Sequence, residues 1–140
     1  MHGSVEMVRM IRGGRIESVH RGAAAICDAA GSVVEAWGDP SEVIYPRSSC
    51  KMIQALPLVE AGLAPDGARM ALACASHQGD AVHTGLAGQW LSEMGLAEED
   101  LRCGAHMPYS DVARDVLVRA GEAPCQLHNN CSGKHAGFLA

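Results

Sequence analysis

Up to Trp37 the apolar residues of this chain come in short β-leaning runs broken by glycine. Beyond Ser48 they come in longer runs with mostly helical spacing, and that change of pattern leaves few folds open. Val5 to Ile11, Arg15 to Val19 and Ala23 to Cys27 are the early runs, separated by Gly13-Gly14 and by Arg21-Gly22. The stretch from Ala23 to Trp37 carries Gly31 in its middle and reads as a β-hairpin, closed by Gly38-Asp39-Pro40-Ser41. A helix is expected from Ser48 to about Gly62, bent at Pro57. Ala68 to Ala75 is a further apolar helix or strand, ending in the polar turn Ser76-His77-Gln78-Gly79-Asp80. Val82 to Met94 reads as a helix with Leu86, Trp90 and Leu91 on one face, Gly95 as its stop and His83 at its surface. An acidic, solvated turn over Leu96 to Leu101 follows, and then a helix over Val112 to Ala120, capped by Asp111 and stopped by Gly121. Strands first and helices after make an α+β chain.

Composition narrows the function. At 140 residues there is room for one domain with a modest core. With aromatics at only 4%, that core has to be aliphatic and rich in alanine. A net charge of -5 with no basic run argues against nucleic acid as a partner. No apolar run reaches the roughly 18 residues of a membrane span, and no signal core opens the chain, so a cytoplasmic location is expected. The six cysteines are irregularly spaced and no C-x-x-C occurs, which predicts buried free thiols, with Cys125 and Cys131 the pair to watch.

Chemistry concentrates in two segments. In Tyr45-Pro46-Arg47-Ser48-Ser49-Cys50-Lys51, Ser48 and Lys51 stand three apart where a polar loop becomes an apolar run. On a helix they share a face. A serine hydroxyl becomes a nucleophile when a base takes its proton, and a desolvated lysine can be that base, as in serine β-lactamases and penicillin-binding proteins. The chain holds nine arginines but only two lysines, Lys51 and Lys134, so lysine is kept for special places. Lysine can serve as base or ligand where arginine cannot. The competing reading is an N-capping serine with a surface lysine one turn on. The second segment is Asn129-Asn130-Cys131-Ser132-Gly133-Lys134-His135, whose cysteine, lysine and histidine share a face if helical. Cysteine and histidine are ready zinc ligands, but two ligands make no site.

Together, Y-P-R-S-S-C-K, A-S-H-x-G-D, C-G-x-H-x-P and N-N-C-S-G-K-H-A-G-F resemble the L-asparaginase II family of the rhizobial type, and they run in family order from Tyr45 to the last residue. The resemblance implies a fold like that of serine β-lactamases and glutaminases, and hydrolysis of L-asparagine to L-aspartate and ammonia. It implies catalytic roles for Ser48, Lys51 and Ser76, the last paired with a lysine further along the family's chain. It implies substrate contacts for Arg47 and His135. Zinc held by Cys131 and Lys134 with a later cysteine is implied as well. A homo-oligomer, in the simplest case a homodimer, is expected. Gly137 to Ala140 look like the first turns of an apolar helix with no stop signal. The expectation is therefore that residues 1–140 are the N-terminal part of a single asparaginase II-like domain, with the C-terminal part absent. Two alternatives stand beside the enzyme: a catalytically incomplete fragment or half of a split protein, and a penicillin-recognising hydrolase. The second lacks its Ser-Asp-Asn and Lys-Thr-Gly companions.

Overall fold

The computed structural model describes residues 3–63 and 66–140, in two compact units that divide between Tyr45 and Pro46. The first unit consists of two antiparallel hairpins, β1 (Val5–Arg12) with β2 (Arg15–Gly22) and β3 (Ala24–Cys27) with β4 (Val33–Trp37). Arg12 faces Arg15 across the first turn, and Gly13 and Gly14 between them have φ of 55° and 75°. Two consecutive left-handed residues form the tight turn whose twist matches the strands, and glycine adopts that conformation without steric cost. In the second hairpin the Asp28 carboxylate accepts from the backbone N–H of Ala30 and of Ser32, both at 2.9 Å, and so fixes the turn. The strands expose both faces: Val8, Ile11, Ile16 and Val34 are all more than half accessible.

The second unit is helical. The long helix expected from Ser48 is broken into a 3-10 turn (Arg47–Cys50), α1 (Lys51–Gln54) and α2 (Leu56–Glu60). Pro57 sits in the first turn of α2, where its missing N–H is tolerated, so it starts a new helix instead of bending an old one. α3 (Gly67–Cys74) is a helix, capped by Asp66, which accepts from the Arg69 N–H at 2.9 Å. α4 (Ala81–Glu93) ends where the Leu96 N–H reaches back to the Leu91 carbonyl around Gly95. α5 (Asp111–Ala120) is capped by Ser110 and not by Asp111; the Ser110 hydroxyl accepts from the Ala113 N–H, and Asp111 instead pairs with Arg114. α6 (Ser132–Leu139) closes the unit.

The core is aliphatic apart from one ring: Leu58, Ala73, Trp90, Leu91, Leu101 and Ala136, with Met94, Leu96 and Leu127 packed against it. The acidic turn is not merely solvated. Glu98 accepts the Gln126 backbone N–H at 2.6 Å, and its own carbonyl accepts from the Gln126 side chain, which ties this turn to the segment ahead of α6. None of the described helices is long and apolar enough to cross a membrane.

Candidate active site

Lys51 opens α1 and turns inward; only 3% of its surface is accessible. Its Nζ donates to the Ala75 carbonyl and to Ser76 Oγ, the latter at 2.9 Å. Burying a lysine head group requires such partners, because an unpaired buried charge is costly. The expected pair of Ser48 with Lys51 therefore takes a different form. Lys51 does follow Ser48 by one turn, but its amine is bonded to the serine at the end of α3. Ser76 is exposed, so its hydroxyl faces both solvent and the buried amine.

Ser48 is exposed and belongs to a strained turn. Arg47 before it has φ of 51°, a left-handed conformation unusual for a residue with a side chain and worth about 1–3 kcal/mol of strain. Around it, the Ser49 hydroxyl donates to the Pro46 carbonyl and the Cys50 thiol to the Arg47 carbonyl. Because α1 is a single turn, little helix dipole stands behind the Ser48 N–H.

One cavity of about 240 Å³ gathers most of the nominated residues, with Arg47, Ser48, Lys51, Gln54, Cys131 and Lys134 in its wall. A tight approach of α6 to α3 brings the last two there. A Cβ on Gly133 would stand 2.3 Å from Leu72 Cγ and 2.8 Å from the Leu72 carbonyl oxygen, so only glycine lets the two backbones meet. His135 lies outside this wall, its ring 5.9 Å from that of Phe138. Burial, then the charges of Lys134 and Lys51, push its pKa down and keep the ring neutral. A larger hollow of about 380 Å³ beside α5 is lined by Val82, Val112 and Val116 among others and contains none of the nominated residues.

Two residues of the site escaped the sequence reading, His77 and Ser132. The His77 ring, 4% exposed, accepts the Gly79 N–H at Nδ1 (3.1 Å), which puts its proton on Nε2. Nε2 donates to Ser132 Oγ at 2.9 Å, and the fully buried Ser132 donates on to the Leu127 carbonyl at 3.0 Å. With the His77 N–H bonded to the Asn130 carbonyl, this chain of bonds fastens the Ser76 turn to the start of α6. Gly79 completes the turn at φ 81°, and a Cβ there would stand 2.9 Å from the His128 carbonyl oxygen. Burial, followed by the charges of His83 and Lys51, lowers the His77 pKa to about 4. His83 is not a surface residue: its ring stacks on His77 with centroids 5.0 Å apart, and it is half-buried. The signal was present in the motifs, since His77 and Ser132 each stand one place beyond a nominated residue, Ser76 and Cys131.

The zinc expectation meets an incomplete donor set. Cys131 and Lys134 face one cavity, but a structural or catalytic zinc needs at least three protein ligands. Among the described residues no group of three His, Cys, Asp or Glu side chains is placed to hold a metal ion. Lys134 Nζ lies 5.4 Å from the centroid of the Phe138 ring, the geometry of a cation on an aromatic face. The donors present do not fit zinc. The cysteines are free, as expected, but none is fully buried, and Cys27 is exposed. Burial pushes the Cys103 and Cys125 thiols up, so both hold their protons, and Cys125 Sγ lies 3.2 Å from His128 Nδ1.

The arrangement offers a hydroxyl on a buried amine beside a cavity lined with basic groups and a second serine, which is what acyl transfer from an amide needs. A comparison with curated proteins gives no significant match. A profile of the L-asparaginase II family matches residues 8–140, nearly the whole chain, and the chain belongs to that family.

Proposed function

We propose that this member of the L-asparaginase II family hydrolyses the side-chain amide of L-asparagine by Ser-Lys acyl transfer, on a serine β-lactamase-like scaffold. The observation that carries the proposal is the 2.9 Å contact between buried Lys51 Nζ and Ser76 Oγ, beside a cavity that Ser48 lines. Lys51, in its neutral form, keeps one N–H on the Ala75 carbonyl and turns its lone pair to a serine O–H. That serine's Oγ forms a bond to the amide carbon while its proton passes to Nζ. The tetrahedral intermediate collapses, the C–N bond breaks, and the proton leaves with ammonia. Water then adds to the ester, returns its proton by way of Lys51, and releases L-aspartate and the free serine. Nucleophile and base within hydrogen-bond reach are the geometric requirement, and Ser76 meets it.

Ser48 is the second candidate for the attacking hydroxyl, on a separate observation. It lies in the wall of the cavity that Lys51 also lines, next to the strained Arg47. In that version Lys51 takes the Ser48 proton directly, and Ser76 holds the Lys51 amine in place.

Ammonia release from L-asparagine, L-glutamine and a β-lactam, with Ser48→Ala, Ser76→Ala and Lys51→Met compared with the unaltered chain, tests the reading. The expected outcome is release from asparagine that Lys51→Met lowers by at least ~10²-fold, the usual share of a general base. The serine whose loss is as severe is the nucleophile. Turnover of the β-lactam alone, or full activity in Lys51→Met, would refute the proposal.

A further inference from the structure

Ser76 has little of its own to hold it in place. It is exposed, and among the described residues its hydroxyl bonds only to Lys51 Nζ. Its orientation comes from its neighbours in the chain. The Ala75 N–H closes α3 on the Leu72 carbonyl, and His77 reaches across to the start of α6. His77 does so twice, with its backbone N–H on the Asn130 carbonyl at 3.2 Å and its ring on Ser132 Oγ at 2.9 Å. One such bond is a pivot, whereas two bonds to residues two places apart fix an orientation. The ring is itself held from three sides: by the Gly79 N–H in its own turn, by Ser132, and by the His83 ring of α4, which lies 15° from parallel to it. A neutral imidazole has one acceptor and one donor, and both are used. Ser132 also stands at a particular place. Cys131 before it and Lys134 after it line the cavity of about 240 Å³, which Ser48 and Lys51 line too, and His77 does not.

We infer that His77 is a positioning residue: through Ser132 it sets the Ser76 hydroxyl and the Lys51 amine in register with the cavity wall that holds the substrate. The inference rests on the acyl-transfer reading of this site and adds to it a residue outside the reacting groups. Cutting the ring bond leaves the cavity wall, and with it substrate binding, as it was. It frees Ser76 to swing about the one remaining link of His77 to Asn130. A reacting group misplaced by about 1 Å loses on the order of 10²-fold in rate. The loss therefore falls on kcat and not on KM.

The experiment uses the fact that the chain has only two lysines. Isotopic labelling of the lysine Cε gives one NMR signal for each, and Lys51→Met identifies that of Lys51. Ser76→Ala shows how far that signal moves when the hydroxyl is gone. Two variants cut the bridge: Ser132→Ala, and His77→Asn, which keeps an acceptor for the Gly79 N–H but is too short for Ser132. Spectra are taken at about pH 8, where a ring with its pKa at about 4 is neutral, so that its loss removes no charge. Both variants are expected to move the Lys51 signal in the direction of Ser76→Ala, and Leu91→Ala, a plain loss from the core, to leave it in place. With L-asparagine both should lower kcat at least ~10-fold and change KM by less than about threefold. Ser132→Ala removes a single hydroxyl and decides the matter should His77→Asn not fold. A Lys51 signal unmoved by cutting the bridge, the same movement in Leu91→Ala, or a loss confined to KM would each overturn the inference. The spectra need no turnover, so the two readings fail separately. A moved signal without asparagine hydrolysis removes the acyl-transfer reading alone, and hydrolysis with an unmoved signal removes this inference alone.

Discussion

The two units use apolar residues in opposite ways. In the hairpins of the first, Val8, Ile11 and Val34 are 54%, 65% and 68% exposed, and no strand residue is buried. In the helical unit, Leu91 and Leu101 are 1% exposed and Ala136 not at all. A two-stranded hairpin has no second layer to bury its faces and is marginal in water by itself. Helices that pack on one another make a dry interior, and that dryness is the condition for the chemistry. Lys51 can be 3% exposed because α1, α3 and the turn after α3 enclose it, and nothing in the hairpins encloses a side chain in this way.

If that contrast is right, the largest loss of stability should come from the helical core. Leu91→Ala is expected to cost about 2–5 kcal/mol in chemical denaturation, through lost transfer energy and the cavity left behind. Next comes acid. His77 has its pKa lowered from 6.5 to about 4 in the folded protein, so between those values the unfolded chain binds the proton more readily. Stability should therefore rise with pH across that window and change little from this group below it, by at most about 3 kcal/mol in total. His77→Asn should flatten the pH dependence of the melting temperature there; an unchanged slope would show that another group is responsible. Gly133→Ala should cost about 1–3 kcal/mol by forcing α6 from α3, and hydrogen exchange should show the loss at the Ser76 turn as well as in the two helices. The smallest effect belongs to the hairpins. Val34→Thr should stay within about 0.5 kcal/mol, and a loss of several would mean that the β3–β4 face is covered in solution.

Much of this could be read in the sequence, for local reasons. Gly13-Gly14, Gly31, Gly95 and Gly121 mark the turns and helix ends because the backbone there needs what glycine permits, and the order of strands before helices followed from the spacing of apolar residues. The motifs placed Ser48, Lys51, Cys131 and Lys134 together, and they line one cavity. What the sequence could not give was decided by tertiary contacts. Pro57 reads as a bend or as a start depending on whether Ala55 can end one helix and begin the next. Ser110 and Asp111 are both good caps, and the choice rests on one backbone angle. His83 looks like a surface residue until the position of His77 is known, and His77 is known only from its bond to Ser132, which is 55 residues away in the chain. The contact of Lys51 with Ser76 is likewise long-range, since Ser76 lies 25 residues on, and the motifs alone left open which serine the amine would meet.

The central claim is that Lys51 activates a serine, Ser76 at its amine or Ser48 in the cavity wall. Acid-quenched reaction of the protein with L-asparagine, followed by mass spectrometry of its peptides, tests it directly. The account predicts an aspartyl ester on Ser76 or Ser48 in the unaltered chain and none in Lys51→Met. An ester that forms equally well without Lys51, or no ester on either serine while asparagine is consumed, would contradict it.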